Sequence, residues 1–302
     1  MMSVLKQSSN RPSTNQHVYD QPFFKSLIRR SLNYLSAGYP VHYTGPSGIG
    51  KTTLAIHVAK QRNKPVTLLS GNKDLTNDDL IGAYKGYSRK KLNDNFVRTV
   101  QKIEENVTED WVSGHLYEAV KHGHTLVYDE FTRSSPETNN LFLSVLEEKI
   151  LPLYGSKSKD SHVRVHPDFR VIFTSNPAEY IGVYDTQDAL MDRMISIPMN
   201  AMSLEAEVAV VMERTKMKQK KAEAIVRFVR EVKKSMDEKE DFLSLRASIM
   251  IADIAEKTSV RVDGKDEAFQ NLCLDMTYFS VLSMTKDEEK ARKIILDHCK
   301  KV

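Results

Sequence analysis

Cysteine is scarce in this chain: two in 302 residues, Cys273 and Cys299, with no C-x-x-C pair. That excludes a disulfide framework and a cysteine-bound zinc, and it fits a reducing compartment. Long apolar runs are missing too, since none approaches the roughly 18 residues of a membrane-spanning helix. The opening MMSVLKQSSNRPSTNQ holds nothing like the apolar core of a signal peptide. Nor is there a large excess of one charge, because 44 basic and 40 acidic residues leave a formal net charge of +4. Nucleic-acid binders usually carry a larger, clustered excess. These absences lead to the expectation of a soluble cytoplasmic protein with neither a membrane nor a nucleic-acid partner.

What is present is an ordinary globular composition, 40% hydrophobic and 28% charged, in a chain long enough for two compact units. Residues 1–18 are polar and expected to be disordered. From Pro22 to Ala37 the residues Phe24, Leu27, Ile28, Leu32 and Leu35 recur at helical spacing, and Gly38 reads as the stop. Five short apolar runs follow: VHY (41–43), VTLL (66–69), TLVY (125–128), RVIFT (170–174) and MISIP (194–198). Most of the connections between them are long enough for helices, which predicts an α/β fold with a parallel sheet covered on both faces. After Pro198 the strand-like runs end. Ala222, Ile225, Val226, Val229, Val232 and Met236 form a helical stripe, with Lys220, Lys221, Arg227, Arg230, Lys233 and Lys234 read as its solvated face. An α/β nucleotide-binding domain over 19–200 and an all-helical domain over 201–302 are therefore expected.

Residues 45–52 read G-P-S-G-I-G-K-T and match G-x-x-x-x-G-K-[ST] between a strand and a helix. Backbone amides must surround phosphate oxygens there, which the small residues permit, and the following helix adds its positive end. Gly45, Pro46, Ser47, Gly48, Ile49, Gly50, Lys51, Thr52 and Thr53 are thus candidates for binding ATP. Lys51 would reach the β- and γ-phosphates, and Thr52 would hold Mg²⁺. The strand TLVY runs into Asp129 and Glu130, two like charges that are costly to desolvate together. Beside a phosphate loop, Asp129 is expected to hold Mg²⁺. Strand alternation turns Glu130 the other way, toward a water at the γ-phosphate.

The run F-T-S-N-P places Asn176 at a strand tip, expected level with Asp129, where it can orient that water. Arg193 has two readings, a salt-bridge partner of Asp188 or Asp192, or an arginine finger for a neighbouring subunit. Arg133 is ambiguous in the same way, and Arg246, opening a later helix, can fold onto the nucleotide as part of a lid. Residues 83–96 mix tyrosines with basics, so Tyr84 or Tyr87 could grip a client chain if the segment is not simply a solvated excursion. Residues 153–168 read as a hairpin, with His162 and His166 structural or exposed rather than metal ligands.

Phosphate loop, D-E strand end, asparagine tip, late arginine and helical lid, in this order, resemble the AAA+ ATPases. D-E-F-T-R-S-S-P-E-T-N-N-L-F-L-S-V-L-E-E looks like their MoxR branch, and D-L-T-N-D-D-L-I-G fits a helix that this branch interrupts with a hairpin. The block V-H-P-D-F-R-V-I-F-T-S-N-P-A-E-Y-I-G-V-Y-D-T-Q-D-A-L-M-D-R-M over 165–194 is similar to gas vesicle proteins of that branch. The resemblance implies a P-loop AAA+ core followed by a helical lid, with Glu130, Asn176 and Arg193 as hydrolytic glutamate, first sensor and finger. Arg246 becomes the second sensor, in cis or in trans, although the branch usually has S-P-R where this chain has Ser244-Leu245-Arg246. It also implies a homo-oligomeric, hexameric ring and gas vesicle shell or accessory proteins as partners. Two other functions stay open: a nucleotide-switched scaffold with little turnover, and an activase of a metalloenzyme.

Overall fold

The structure is a computed structural model that describes residues 16–92, 104–153, 161–176, 188–199, 202–236 and 243–302. The side chains of 16–17, 85–92, 104–110 and 188 lie outside that description. The chain enters through α1 (Gln16–Tyr19) and α2 (Pro22–Ser36), then alternates β1 (Val41–Thr44), α3 (Lys51–Gln61), β2 (Val66–Ser70) and α4 (Asn77–Ile81). A long antiparallel hairpin of β3 (Gly82–Leu92) and β4 (Glu104–Ser113) follows, then α5 (His115–His122), β5 (Thr125–Asp129) and α6 (Pro136–Leu146). A small hairpin pairs β6 (Ile150–Pro152) with β7 (His162–Arg164) ahead of β8 (Arg170–Ser175), α7 (Asp188–Met191) and β9 (Ile195–Pro198). Helices α8 (Leu204–Thr215), α9 (Gln219–Lys234), α10 (Leu245–Thr258), α11 (Glu267–Thr285) and α12 (Glu288–Cys299) complete it.

Five strands pair in parallel in the order β2-β5-β8-β1-β9. The alternation of side chains along each strand divides the core in two. On β5, Val127 packs with Val41, Tyr43, Ile172 and the inner faces of α2 and α3. Its neighbours Leu126 and Tyr128 pack on the other side with Phe131, Phe142, Phe173 and Leu116. All three β5 residues are fully buried, as a strand covered by helices on both faces requires. Pro at the start of α2 and Gly38 after its end bound that helix as its sequence suggests.

Beyond Pro198 the described elements are helical, with a core of their own. Ala222, Ile225, Val226, Val229 and Val232 of α9 meet Ile251, Phe269, Cys273, Val281 and Ile295 there. Arg230 departs from the solvated-face expectation. It donates to Glu207 at 2.8 Å and to the Met202 carbonyl at 2.5 Å, tying α9 to the segment that leaves the sheet. At the other end of the chain, Val18 belongs to the core rather than to a disordered tail. It and Tyr19 are buried, because a single turn of helix lays this apolar pair against α8 and α2.

The hairpin β3–β4 stands between α4 and α5. At its base Tyr84 packs edge-on against Trp111, with ring centroids 5.1 Å apart, so this tyrosine is part of the hairpin's own packing. The side chain of Tyr87, and residues 93–96, lie outside the described residues.

Candidate nucleotide site

The loop between β1 and α3 is built to bring backbone close to its surroundings. At Gly45 a Cβ would lie 2.5 Å from the Met199 carbonyl oxygen, whose own amide donates to Thr44. At Gly48, with φ of +77°, a Cβ would lie 2.6 Å from Ser244 Oγ, the capping side chain at the start of α10. The start of α10 thus rests on the loop itself. Lys51 is buried and folds across the loop, donating to the carbonyls of Gly45 at 2.8 Å and Pro46 at 2.7 Å.

The two acids are accommodated differently. Asp129 Oδ1 accepts from Thr52 Oγ1 at 2.5 Å and from Thr174 Oγ1 at 2.6 Å. Glu130 is not a strand residue: the strand stops at Asp129, and Glu130 adopts left-handed backbone angles of φ 51° and ψ 42°. That turn, rather than strand alternation, separates the two carboxylates. Glu130 Oε2 pairs with Arg133 Nη1 at 2.8 Å, and the Glu130 amide donates to Thr174 Oγ1 at 3.0 Å.

The residue level with Asp129 is Thr174, not Asn176. The parallel register runs Tyr128 to Phe173, so the next pair is Asp129 with Thr174, and Asn176 stands two residues, about 7 Å, further along. Asn176 is buried just beyond the end of β8 but does not line the cavity described next.

A cavity of about 400 Å³ joins these groups. Its lining includes Ser47 to Thr53, Asp129, Glu130, Thr174 and Arg246. It also includes the apolar Val18, Tyr19, Phe24, Val210 and Ile249, and Arg214. Tyr19 stacks on His57 with centroids 3.5 Å apart and donates from its hydroxyl to the Thr53 carbonyl at 3.4 Å. Burial raises the Tyr19 pKa and lowers that of His57, so both rings are held neutral. Such a cavity suits a flat, largely apolar ring joined to a polyanion.

Arg246 faces the cavity of its own chain. The side chain of Asp188 lies outside the described residues, and Arg193, whose charge Asp192 helps to stabilise, does not line the cavity. Its guanidinium donates to Glu147 at 2.7 Å and to the Ala189 carbonyl at 2.5 Å, because the C-terminal end of α6 packs beside α7. Among the described residues no group of three or more His, Cys, Asp or Glu is placed to hold a metal, and this includes His162 and His166.

An AAA domain of the dynein-related subfamily matches residues 40–194. The gas vesicle ATPase GvpN of Ancylobacter aquaticus is 42% identical over 269 residues, which span 89% of this chain and 75% of that protein. The chain belongs to the GvpN family of AAA ATPases. Gas vesicle ATPase GvpN1 of Halobacterium salinarum is 41% identical over 82% of this chain and 70% of its own. Among solved structures, NtrX from Brucella abortus in complex with ADP aligns with a TM-score of 0.52 and 17% identity over 89% of this chain and 59% of that one, a likeness of fold. The matched AAA domain holds the loop, both acids, Asn176 and Arg193, and ends before Arg246.

Several residues of this GvpN-family site were not legible as such in the sequence. Thr174 sits inside an apolar run and gains its role only from the strand beside it. Val18 and Tyr19 lie at the edge of a polar stretch, and Val210 and Ile249 look like ordinary core positions of their helices. The one local signal is Thr-x-Asn, which puts a hydroxyl near the end of β8 and an amide just beyond it.

Proposed function

We propose that this chain hydrolyses ATP and uses the turnover to remodel or assemble gas vesicle proteins, working as a cytoplasmic ring of like subunits. The observation that carries the hydrolytic reading is one cavity in which the phosphate loop, the Thr52–Asp129 pair and Glu130 meet beside the start of α10. Loop amides and Lys51 bind the phosphates, Lys51 exchanging its two carbonyl partners for phosphate oxygens. The Thr52 hydroxyl and the Asp129 carboxylate are hard oxygen donors side by side, a set that fits Mg²⁺, which takes its remaining ligands from water and phosphate. Mg²⁺ held there would neutralise charge on the β- and γ-phosphates. Glu130 takes a proton from the attacking water, Arg246 meets the γ-phosphate from its own lid, and Arg193 completes the site of a neighbour. Asn176, which lies outside the cavity as it stands, orients the water only once the loaded site brings the two together. Residues 19–200 form the nucleotide-binding unit in this reading and 201–302 the lid. The gas vesicle assignment rests on the names of the relatives.

One contact favours a second reading. The Glu130–Arg133 ion pair at 2.8 Å engages one carboxylate oxygen of Glu130 and draws it toward Arg133, so turnover can wait on a partner protein that releases it. The chain is then a nucleotide-switched scaffold until that partner binds. ATP turnover per chain, measured over a range of protein concentrations with Glu130→Gln as the blank, separates the two. Turnover that rises with concentration and vanishes in the variant, with ATP binding kept, is expected for sites completed between subunits. Equal turnover in Glu130→Gln refutes the assignment of Glu130. Binding without turnover, relieved by gas vesicle shell proteins, supports the scaffold.

A further inference from the structure

Thr174 is fully buried on β8, and its single hydroxyl serves both acids at the end of β5. It donates to Asp129 Oδ1 at 2.6 Å and accepts from the Glu130 amide at 3.0 Å. A hydroxyl has one hydrogen, so the bond to Asp129 fixes its rotation and leaves its lone pairs for the amide. The threonine side is fully buried, so each bond is reached only from the side of the acids.

The Glu130 amide lies just beyond the strand ladder, on a residue whose left-handed backbone costs on the order of 1 kcal/mol outside glycine. Such a turn persists only where its surroundings fix it. Backbone contributes part of that: Gly71 N–H donates to the Asp129 carbonyl at 2.7 Å, and Arg133 N–H to the Glu130 carbonyl at 3.0 Å. Thr174 contributes through a side chain, so one substitution can remove its share and leave the backbone contacts in place. Without it the Glu130 amide loses its acceptor, and Asp129 loses the second of two hydroxyls that hold the same oxygen.

We infer that Thr174 is a positioning residue for the acid pair: it holds the Asp129 carboxylate against Thr52 and fixes the turn that aims Glu130, and so governs turnover and the use of Mg²⁺ rather than affinity for the nucleotide. The inference rests on the hydrolytic reading above. It deepens that reading with a residue that acts through the two acids.

The test compares the full-length chain with Thr174→Val, which keeps the shape and loses the hydroxyl, and Thr174→Ser, which keeps the hydroxyl. Thr174→Ala serves in place of valine if that variant does not fold. The measurements are kcat and KM for ATP, and the binding of a fluorescent ATP analogue with chelator and across a Mg²⁺ titration. Thr174→Val is expected to lose about tenfold to a hundredfold in kcat, as outer partners of a metal site typically do. Its KM and its metal-free nucleotide affinity stay within about twofold of wild type. Its half-saturating Mg²⁺ concentration rises, and Thr174→Ser keeps most of kcat. A wild-type kcat in Thr174→Val, or equal losses in the valine and serine variants, overturns the inference while turnover in the wild type leaves the hydrolytic reading standing. If the wild type binds ATP and never turns it over, that reading fails on its own. The Mg²⁺ titration then decides, and an unchanged Mg²⁺ requirement in Thr174→Val overturns the role of Thr174.

Discussion

His42 offers a measurable consequence of burial inside the sheet. It is fully buried on β1, with Nε2 at 2.7 Å from Ser175 Oγ and Nδ1 at 2.9 Å from Ser196 Oγ. Its ring meets Phe131 edge-on at 5.4 Å. A neutral imidazole satisfies both serines, since one nitrogen donates and the other accepts. Burial first, and the nearby Lys51 charge second, pull its pKa from 6.5 down to about 4. The folded value lies below the unfolded one, so as pH falls the unfolded chain takes up the proton first. The stability that His42 contributes is therefore complete above about pH 6.5 and is lost as pH falls toward 4. That difference amounts to about 3 kcal/mol when complete, of which about 2 kcal/mol falls between pH 7 and pH 5. The assay is urea unfolding followed by circular dichroism at pH 7, 6 and 5, for the wild type and His42→Gln, whose amide donates and accepts without titrating. His57, His124 and His298 are also lowered by burial, and the difference between the two proteins removes their share. The wild type should lose about 2 kcal/mol more than the variant from pH 7 to pH 5. Parallel profiles would refute the reasoning, because they would mean that His42 takes up its proton within the folded sheet at little cost.

Two further outcomes follow, one at the loop and one at Arg193. Gly48→Ala places a Cβ against Ser244 Oγ at a left-handed position, so it should cost about 1–2 kcal/mol at the loop and weaken ATP binding by about tenfold, read by calorimetric titration. Arg193→Ala alone should abolish most turnover while leaving ATP binding intact. Mixing it with Glu130→Gln should restore part of the turnover, because a mixed ring contains some sites with both groups, and no restoration at any ratio argues against a finger acting between subunits.

How far the sequence carries the structure depends on the range of the interactions involved. β1, β2, β5, β8 and β9 were legible because each is a short apolar run closed by turn residues, and the covered sheet needs no other code. The loop from Gly45 to Thr52 was legible because one contiguous motif specifies it. The error about Asn176 arose because register between parallel strands is set by packing across the whole sheet, and β5 and β8 lie 40 residues apart with a helix and a hairpin between them. The pairing of Arg193 with Glu147 was not legible, because that acid arrives from the end of a separate helix 46 residues earlier in the chain. Glu130 was read as strand because nothing in Asp-Glu-Phe announces a left-handed residue. Gly71 and Thr174, which shape and hold that turn, come from just after β2 and from β8.

The contact of Ser244 with Gly48 gives the molecule a mechanical linkage. The helix that begins at this point, Leu245–Thr258, has 14 residues and is about 21 Å long. Its foot stands on the loop and its body is embedded in the lid core through Ile251, Ala252 and Ala255. A tilt of about 5° at the foot moves the far end by about 2 Å, given the rise of a helix per residue. Any rearrangement of the few loop atoms is thereby enlarged along the helix into a displacement within the lid, with the helix as the lever and the glycine as its fulcrum.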